Sequence, residues 1–350
     1  MHKILQFGEG NFLRAFIEPM IEAMNRDGFG ASVYAVKPRP GEPNPAFEAQ
    51  QCRYSILVRG IADGNTVERL EEITCLKKVF SSDREWPEIE DLILDPKCRW
   101  IVSNTTEAGI EYVPGNCDTF PGKVARLLAL RAHAGMKGIS ILPCELVENN
   151  GALLREYVLK YLEGDKCAED YVALECRFYN TLVDRIVAGF PPDADKYAPE
   201  DKLLTAAEPF TFMAVESSEP LPFPREFVTC APDITPYRTR KVRCLNASHT
   251  AMVCGALLSG FTEVAEVLED KAFRSRVEST LFNEILPTVD QDDAEKKAYA
   301  QAVLERFANP FAHHKLASIS LNSVAKWKVR VLPVILDYRK LTGKLPEFLV

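Results

Sequence analysis

The spacing of apolar and polar positions changes period twice in the first forty residues. Lys3–Phe7 (KILQF) reads as a short apolar strand that runs straight into Gly8-Glu9-Gly10. From there Phe12, Phe16, Ile17, Met20, Ile21 and Met24 recur every three or four residues, which predicts an amphipathic helix ended by Gly28 and Gly30. A second apolar strand, Ser32–Val36 (SVYAV), follows. Strand, glycine turn, helix, strand is one βαβ unit, and its parallel strands require a right-handed crossover.

Between Tyr54 and Phe80 two strand-like stretches flank Ala62-Asp63-Gly64-Asn65, a hairpin signal read as an insertion. The parallel rhythm then resumes. A helix is expected near Trp86–Leu94, a strand at Arg99–Asn104, a helix around Gly122–Ala134, a strand at Gly138–Pro143 and a helix over Gly151–Glu163. A proline-rich stretch from about Phe190 to Pro236, with one strand candidate in PFTFMAV, reads as the tail of this domain and a connection. From Lys241 onward helical periodicity takes over without a convincing strand. The fold class expected is α/β: a Rossmann-like doubly wound sheet domain over residues 1–235, followed by a mostly α-helical domain over 236–350.

A chain of 350 residues, 47% hydrophobic and 26% charged, is long enough for two such domains. No apolar run reaches membrane-spanning length and the first residues do not resemble a signal peptide, so a cytoplasmic protein without membrane partners is expected. Ten cysteines, with no CxxC pair and no zinc spacing, read as small buried hydrophobes in a reducing compartment; no metal is expected. Fifty acids against 42 bases argue against nucleic-acid binding. An anionic ligand would need a local basic cluster.

Gly8-Glu9-Gly10-Asn11-Phe12-Leu13-Arg14 sits where a Rossmann unit cradles a pyrophosphate, although Leu13 replaces the third glycine of GxGxxG; an ordinary glycine turn is the alternative. At the end of the second strand Lys37-Pro38-Arg39 stands in place of the acid that usually binds the adenosine ribose. NAD is expected there, with NADP left open, and a solvated basic turn is equally consistent with the residues. Asn104, Thr105, Thr106 and Glu107 leave the C-terminal end of another parallel strand, where ligands of open α/β sheets bind. Asn149-Asn150-Gly151 either caps a helix or faces the same cleft, and Asp184-Arg185 is either an ion pair or a substrate clamp. His313-His314 has no zinc-spaced partner and reads as surface or packing. Lys326, Lys328 and Arg330 alternate in a stretch that reads as a solvated face.

The most informative segment is Tyr237–His249. Asn246 and His249 are three apart and share a helix face, with Lys241 about two turns before His249. Oxidation of a carbinol needs a group that takes the hydroxyl proton as hydride leaves, and a lysine does so only with its pKa depressed, which Arg240, Arg243 and partial burial would favour. Asn246 would donate to the developing alkoxide, and His249 would position the lysine or bind a substrate hydroxyl. A basic helix start with a core histidine remains the alternative on spacing alone.

Several long stretches, in this order, resemble the polyol-specific long-chain dehydrogenase/reductase family that includes mannitol dehydrogenase: QFGEGNFLRAF, SNTTEAGI, LPCELVENNG, LVDRIV, ITPYRTRKVRCLNASHTAM and RFANPFAHHKLASISLNSVAKWKVRVLP. The family signature, Lys then Asn five later and His three after that, falls on Lys241, Asn246 and His249, and the resemblance implies that these three are catalytic. It also implies that Gly8, Gly10, Phe12 and Arg14 belong to the cofactor loop, and that Asp184 and Lys326 lie in the substrate pocket. Mannitol-type members carry Cys-Asp-Asn where this chain has Cys144-Glu145-Leu146, which leaves Asn150 as the nearest amide for the reacting oxygen. They also carry arginine at Ser318 and Asp-Gly at Asn322-Ser323. These replacements resemble those of the uronate-acting branch, which implies a hexuronate substrate whose carboxylate would be met by Lys326, Lys328 or Arg240. Mannitol-type polyols, another hexuronate and a non-catalytic dinucleotide sensor are the alternatives. A monomer or small homo-oligomer is expected. Family members usually continue through further helices beyond the point matching Leu345–Val350.

Overall fold

In this computed structural model, which describes residues 2–350 and only the backbone of Glu107, the N-terminal part builds its main sheet from the first eight strands. These are β1 (His2–Phe7), β2 (Ala31–Lys37), β3 (Tyr54–Ala62), β4 (Asn65–Ile73), β5 (Leu76–Ser81), β6 (Cys98–Ser103), β7 (Ser140–Pro143) and β8 (Arg177–Phe178). Six of them lie in the order β5-β2-β1-β6-β7-β8, every neighbouring pair parallel. Counting only these six, the order is 3-2-1-4-5-6, that of dinucleotide-binding domains, and it reverses between β1 and β6. Seven helices accompany them: α1 (Asn11–Arg14), α2 (Ile17–Arg26), α3 (Ala46–Ala49), α4 (Trp86–Ile93), α5 (Phe120–His133), α6 (Asn150–Tyr161) and α7 (Lys166–Leu174). Ile4, Leu5 and Phe7 are all buried, as both faces of a helix-covered parallel sheet demand. One continuous core joins Leu5, Ile101 and Ile141 to Val124, Leu128 and Leu154 of the helices.

Three expectations need correction. The stretch 54–80 is not all insertion. β3 and β4 form the expected hairpin, its Asp63-Gly64 corner having φ of 51° and 73°, the two positive values of a type I′ turn. β5, however, joins the main sheet beside β2. The break between β4 and β5 carries no glycine or proline; the Glu22 carboxylate of α2 accepts from the Thr74 and Cys75 backbone N–H groups and ends the strand there. The first helix is also not continuous: with Leu13 in the third-glycine position the chain breaks at Ala15–Phe16, where Phe16 leaves helical geometry (φ −125°, ψ −64°). Finally, the stretch leading into the proline-rich connection holds two strands and the connection itself three rather than one. β9 (Thr181–Asp184), β10 (Val187–Gly189), β11 (Thr205–Ala207), β12 (Phe212–Glu216) and β13 (Val228–Ala231) complete a β13-β12-β9 sheet and a β10-β11-β3-β4 sheet.

The chain divides into two compact units that are not contiguous in sequence. Residues 58–69, at the hairpin tip, and 208–210 group with 235–350, and the remainder forms the first unit. The second unit is helical: α8 (Thr235–Arg240), a π-helical turn (Lys241–Ala247), α9 (Ser248–Leu258), α10 (Val264–Glu269), α11 (Lys271–Ser279), a second π-helical turn (Thr280–Ile285), α12 (Asp293–Phe307), α13 (Leu316–Ser320), α14 (Ser323–Arg330) and α15 (Leu332–Thr342). Its core gathers Val253, Leu281, Ile285, Val303, Leu316 and Val334. Inside it Arg306 and Glu208 form a two-pronged ion pair at 2.8 and 2.9 Å, their side chains 3% and 2% exposed.

All ten cysteines are free. Cys117, Cys167 and Cys254 are exposed rather than buried, because a loop, a first helical turn and the outer side of α9 carry them. Among the described residues no helix is long and apolar enough to cross a membrane, and no cluster of three His, Cys, Asp or Glu is arranged to hold a metal ion.

Candidate active site

In the first unit, chemistry gathers at the C-terminal edge of the parallel sheet. Gly8 continues the β1 ladder by donating to the Val36 carbonyl, and Asn104 does the same from β6 to Phe7. Gly8 has φ +117°, and a Cβ there would stand 2.8 Å from the Asn104 carbonyl oxygen. Only glycine fits between these two strand ends. A Cβ at Gly10 would meet nothing within 4 Å, so the turn stays open on the side where a pyrophosphate would approach. Asn11 is exposed and Phe12 half-buried, its ring stacked on Phe16 at 4.9 Å.

Arg14, which family resemblance assigns to the cofactor loop, lies beneath it. Its guanidinium is buried, donates to the Leu203 carbonyl and to Asn11 Oδ1, and lies over Tyr54 at 5.0 Å, so it braces the loop from below. A second brace is Glu18, fully buried, whose carboxylate accepts from Tyr54 Oη at 2.6 Å and Gln6 Nε2 at 2.9 Å. Burial pushes its pKa up against those hydrogen bonds.

The neighbouring loop is anchored by a residue that spacing did not reveal. Buried Glu145 accepts from the Thr105 N–H and Oγ1, both at 2.9 Å, and from Ser103 Oγ at 3.0 Å, and burial raises its pKa. Asn104 Nδ2 donates to the Cys144 carbonyl. Thr106 is left with φ +80°, a backbone geometry that costs a non-glycine residue of order 1–3 kcal/mol and clusters at ligand sites. The Glu107 side chain lies outside the described residues. Thr105 and Thr106 border a cleft of about 430 Å³ whose other walls include Arg39, Ser82, Asp83 and Lys123. Lys123 is the second residue that spacing missed. Buried at the start of α5, it donates to the Pro38 carbonyl at 2.8 Å and Ser82 Oγ at 3.2 Å, and burial lowers its pKa. Lys37 donates to the Glu42 carbonyl, which keeps the β2 end closed on its own loop.

Asn150 is corrected as well. It is buried, and its amide is taken up inside the domain: Nδ2 donates to the Pro143 and Glu145 carbonyls, both at 3.0 Å, with the Thr181 carbonyl also in range at 3.3 Å, while Oδ1 accepts from the Gly151 and Thr181 N–H groups. It staples β7, α6 and β9 together and has no amide atom left for a reacting oxygen. Asp184 is buried at the end of β9, opposite Phe212. Arg185 donates to the Ala15 carbonyl at 2.6 Å.

In the second unit, Lys241, Asn246 and His249 all fall on one helical run, but not the uniform α-helix that their spacing suggested. Five residues along an α-helix turn the face by about 140° past a full circle. The π-helical turn Lys241–Ala247, with its i→i+5 bonding, instead brings position 246 back over position 241; such turns are rare and frequent at functional sites. The run then returns to α geometry as α9, which carries His249 three residues after Asn246 of the π-helical turn. Lys241 and Asn246 are half-buried.

His249 is buried, its ring stacked on Phe307 at 4.1 Å and met edge-on by His314 at 5.0 Å, and its Nε2 has no hydrogen-bond partner. Burial, reinforced by His314, Arg306 and Arg330, holds its pKa well below the usual histidine value, so the ring is neutral at pH 7. Of the expected charges around Lys241, Arg243 is offset by Asp337 at 2.6 Å, and Arg240 is buried over the Tyr299 ring at 4.3 Å. Lys326 of α14 donates to the Ile319 carbonyl at 2.8 Å, and Lys328 is exposed.

Two family models match the chain: the mannitol dehydrogenase Rossmann domain over residues 2–221 and the mannitol dehydrogenase C-terminal domain over 233–350. The altronate oxidoreductase of Halalkalibacterium halodurans is 39% identical over 373 aligned positions, covering 99% of this chain and 73% of the relative. That of Bacillus subtilis is 37% identical over 99% of this chain and 77% of its own length. Among solved structures, substrate-free D-sorbitol dehydrogenase superposes with TM-score 0.83 at 22% identity, over 95% of this chain and 76% of that one. Mannitol 2-dehydrogenase of Pseudomonas fluorescens gives 0.78 at 20% identity, over 98% and 76%. At those identities the structural likeness is one of fold, whereas the family models and the curated relatives span nearly the whole chain: it belongs to the mannitol dehydrogenase family.

Proposed function

We propose that the chain is an NAD-dependent tagaturonate reductase, or altronate dehydrogenase in the reverse direction, acting in hexuronate breakdown in the cytoplasm as a monomer or small homo-oligomer. The observation that carries this reading is the set of Lys241 and Asn246 on the π-helical turn with His249 in the helix that continues it, in a chain 39% identical to an altronate oxidoreductase. Gly8 and Gly10 fit a dinucleotide: the first permits the close approach of two strand ends and the second leaves open space for phosphate. Asn11, Phe12, Lys37, Asn104, Thr105, Thr106 and Glu107 complete the cofactor surface, with Arg14 and Asn150 acting from beneath it.

The nicotinamide supplies or accepts the hydride; the protein's residues handle the proton and the oxygen. During reduction the Lys241 ammonium gives its proton to the carbonyl oxygen as the carbon gains hydride, and the amine is reprotonated from solvent. Asn246 donates to the same oxygen as charge develops on it. Neutral His249 pairs its orphaned Nε2 with a substrate hydroxyl, which removes the cost of a buried polar atom without a partner. Asp184 in the first unit and Lys326 in the second are the residues that family resemblance assigns to substrate binding.

A panel of D-tagaturonate, D-fructuronate and D-fructose with NADH tests the reading. The highest kcat/KM is expected for D-tagaturonate; a preference for either other ketone would contradict it. Gly8→Ala should raise the NADH dissociation constant by about 5- to 150-fold in a fluorescence titration, the equivalent of ~1–3 kcal/mol of backbone strain. Unchanged affinity would mean that the loop does not hold the cofactor.

A further inference from the structure

Several buried and half-buried cations of the second unit have defined partners. Arg306 has Glu208, Arg243 has Asp337 and the Thr288 carbonyl, and Lys326 has the Ile319 carbonyl. Arg330, at the C-terminal end of α14, differs from these: it is half-buried, and among the described residues it has no hydrogen bond and no ion pair. Desolvation disfavours its charged form and no carboxylate offsets the effect. α14 packs against α9 and the π-helical turn, the elements that carry His249, Lys241 and Asn246. The Arg330 charge is felt at the His249 ring, whose Nε2 is buried and unpartnered. A cation and an acceptor or donor nitrogen, both left unsatisfied on packed neighbouring helices, ask for one ligand that carries an anion and a hydroxyl together.

We infer that Arg330 is the specificity-determining residue that receives the carboxylate of a sugar-acid substrate, while His249 takes one of its hydroxyls. The inference rests on the function proposed above and names the group that would separate sugar acids from neutral ketoses and polyols. A guanidinium suits this task better than an ammonium because its planar fork matches both carboxylate oxygens. Lys326, the cation on the same helix that family resemblance favours, is already engaged by a backbone carbonyl, and Lys328 is exposed.

The test compares wild type, Arg330→Met and Arg330→Lys on D-tagaturonate and D-fructose, with NADH titrations in parallel. Arg330→Met should raise KM for D-tagaturonate by about 10- to 100-fold, the range for losing a charge-assisted hydrogen bond, with a smaller fall in kcat. The ratio of kcat/KM for uronate over fructose should collapse by a similar factor, and Arg330→Lys should give an intermediate ratio. Equal losses on both substrates, or an unchanged KM for the uronate in either variant, would overturn the assignment. If Arg330→Met does not fold, the Arg330→Lys ratio decides: a wild-type ratio contradicts the inference. Wild-type uronate turnover with insensitive variants sinks this inference alone; no wild-type uronate turnover sinks the proposed function as well.

Discussion

Lys241→Ala is expected to lower kcat by about 10²- to 10⁴-fold, the usual contribution of a positioned proton donor, while NADH still binds. The size of the effect follows from what surrounds the lysine. Asn246 donates but does not exchange a proton at neutral pH, and His249 is held neutral by burial and by the cations around it. Neither replaces an ammonium as the source of the proton that the carbonyl oxygen needs. Because the variant retains the oxyanion donor and the cofactor surface, small primary amines added to the assay should restore part of the rate. Ordinary turnover in Lys241→Ala, or loss of NADH binding together with activity, would rule out the assigned role.

The second large effect concerns stability. Arg306→Met takes the Arg306 guanidinium away from the buried Glu208 carboxylate, and breaking such a buried pair costs about 3–5 kcal/mol. The double variant Arg306→Met/Glu208→Leu should recover most of that loss, because apolar residues of similar volume need no partner. Urea unfolding followed by far-UV circular dichroism measures both. A single variant within 1 kcal/mol of wild type, by order of magnitude, would show that the pair behaves like an exposed one despite its burial.

The parts of the fold that were legible in sequence are those where local signals and tertiary structure agree. A glycine turn after Lys3–Phe7, a helix period and a second strand specify a βαβ unit by themselves, and Asp63-Gly64 announces its own turn. β5 was not legible because nothing local ends β4: the Glu22 carboxylate, more than fifty residues earlier in the chain, captures Thr74 and Cys75. The strands from Thr181 to Ala231 are three to five residues long and lie among prolines, so they depend on pairing rather than propensity.

In the candidate site, spacing put Lys241, Asn246 and His249 on one helical run but could not reveal the π-helical turn, which depends on which carbonyl each N–H selects. Asn150 and Arg14 look like ligand groups in sequence, yet their hydrogen bonds close inside the domain. Arg330 was read the other way, as one of three alternating surface charges. Only packing distinguishes a solvated cation from one that is half-buried and unmatched.

The proposed reaction is hydride transfer between nicotinamide and a hexuronate ketone. NADH deuterated at its transferable position, incubated with D-tagaturonate and the wild-type chain, tests it directly when the product is examined by NMR. The expected result is D-altronate carrying one deuterium, on the carbon that was the ketone. Unlabelled altronate, a label elsewhere in the sugar, or no product would contradict it.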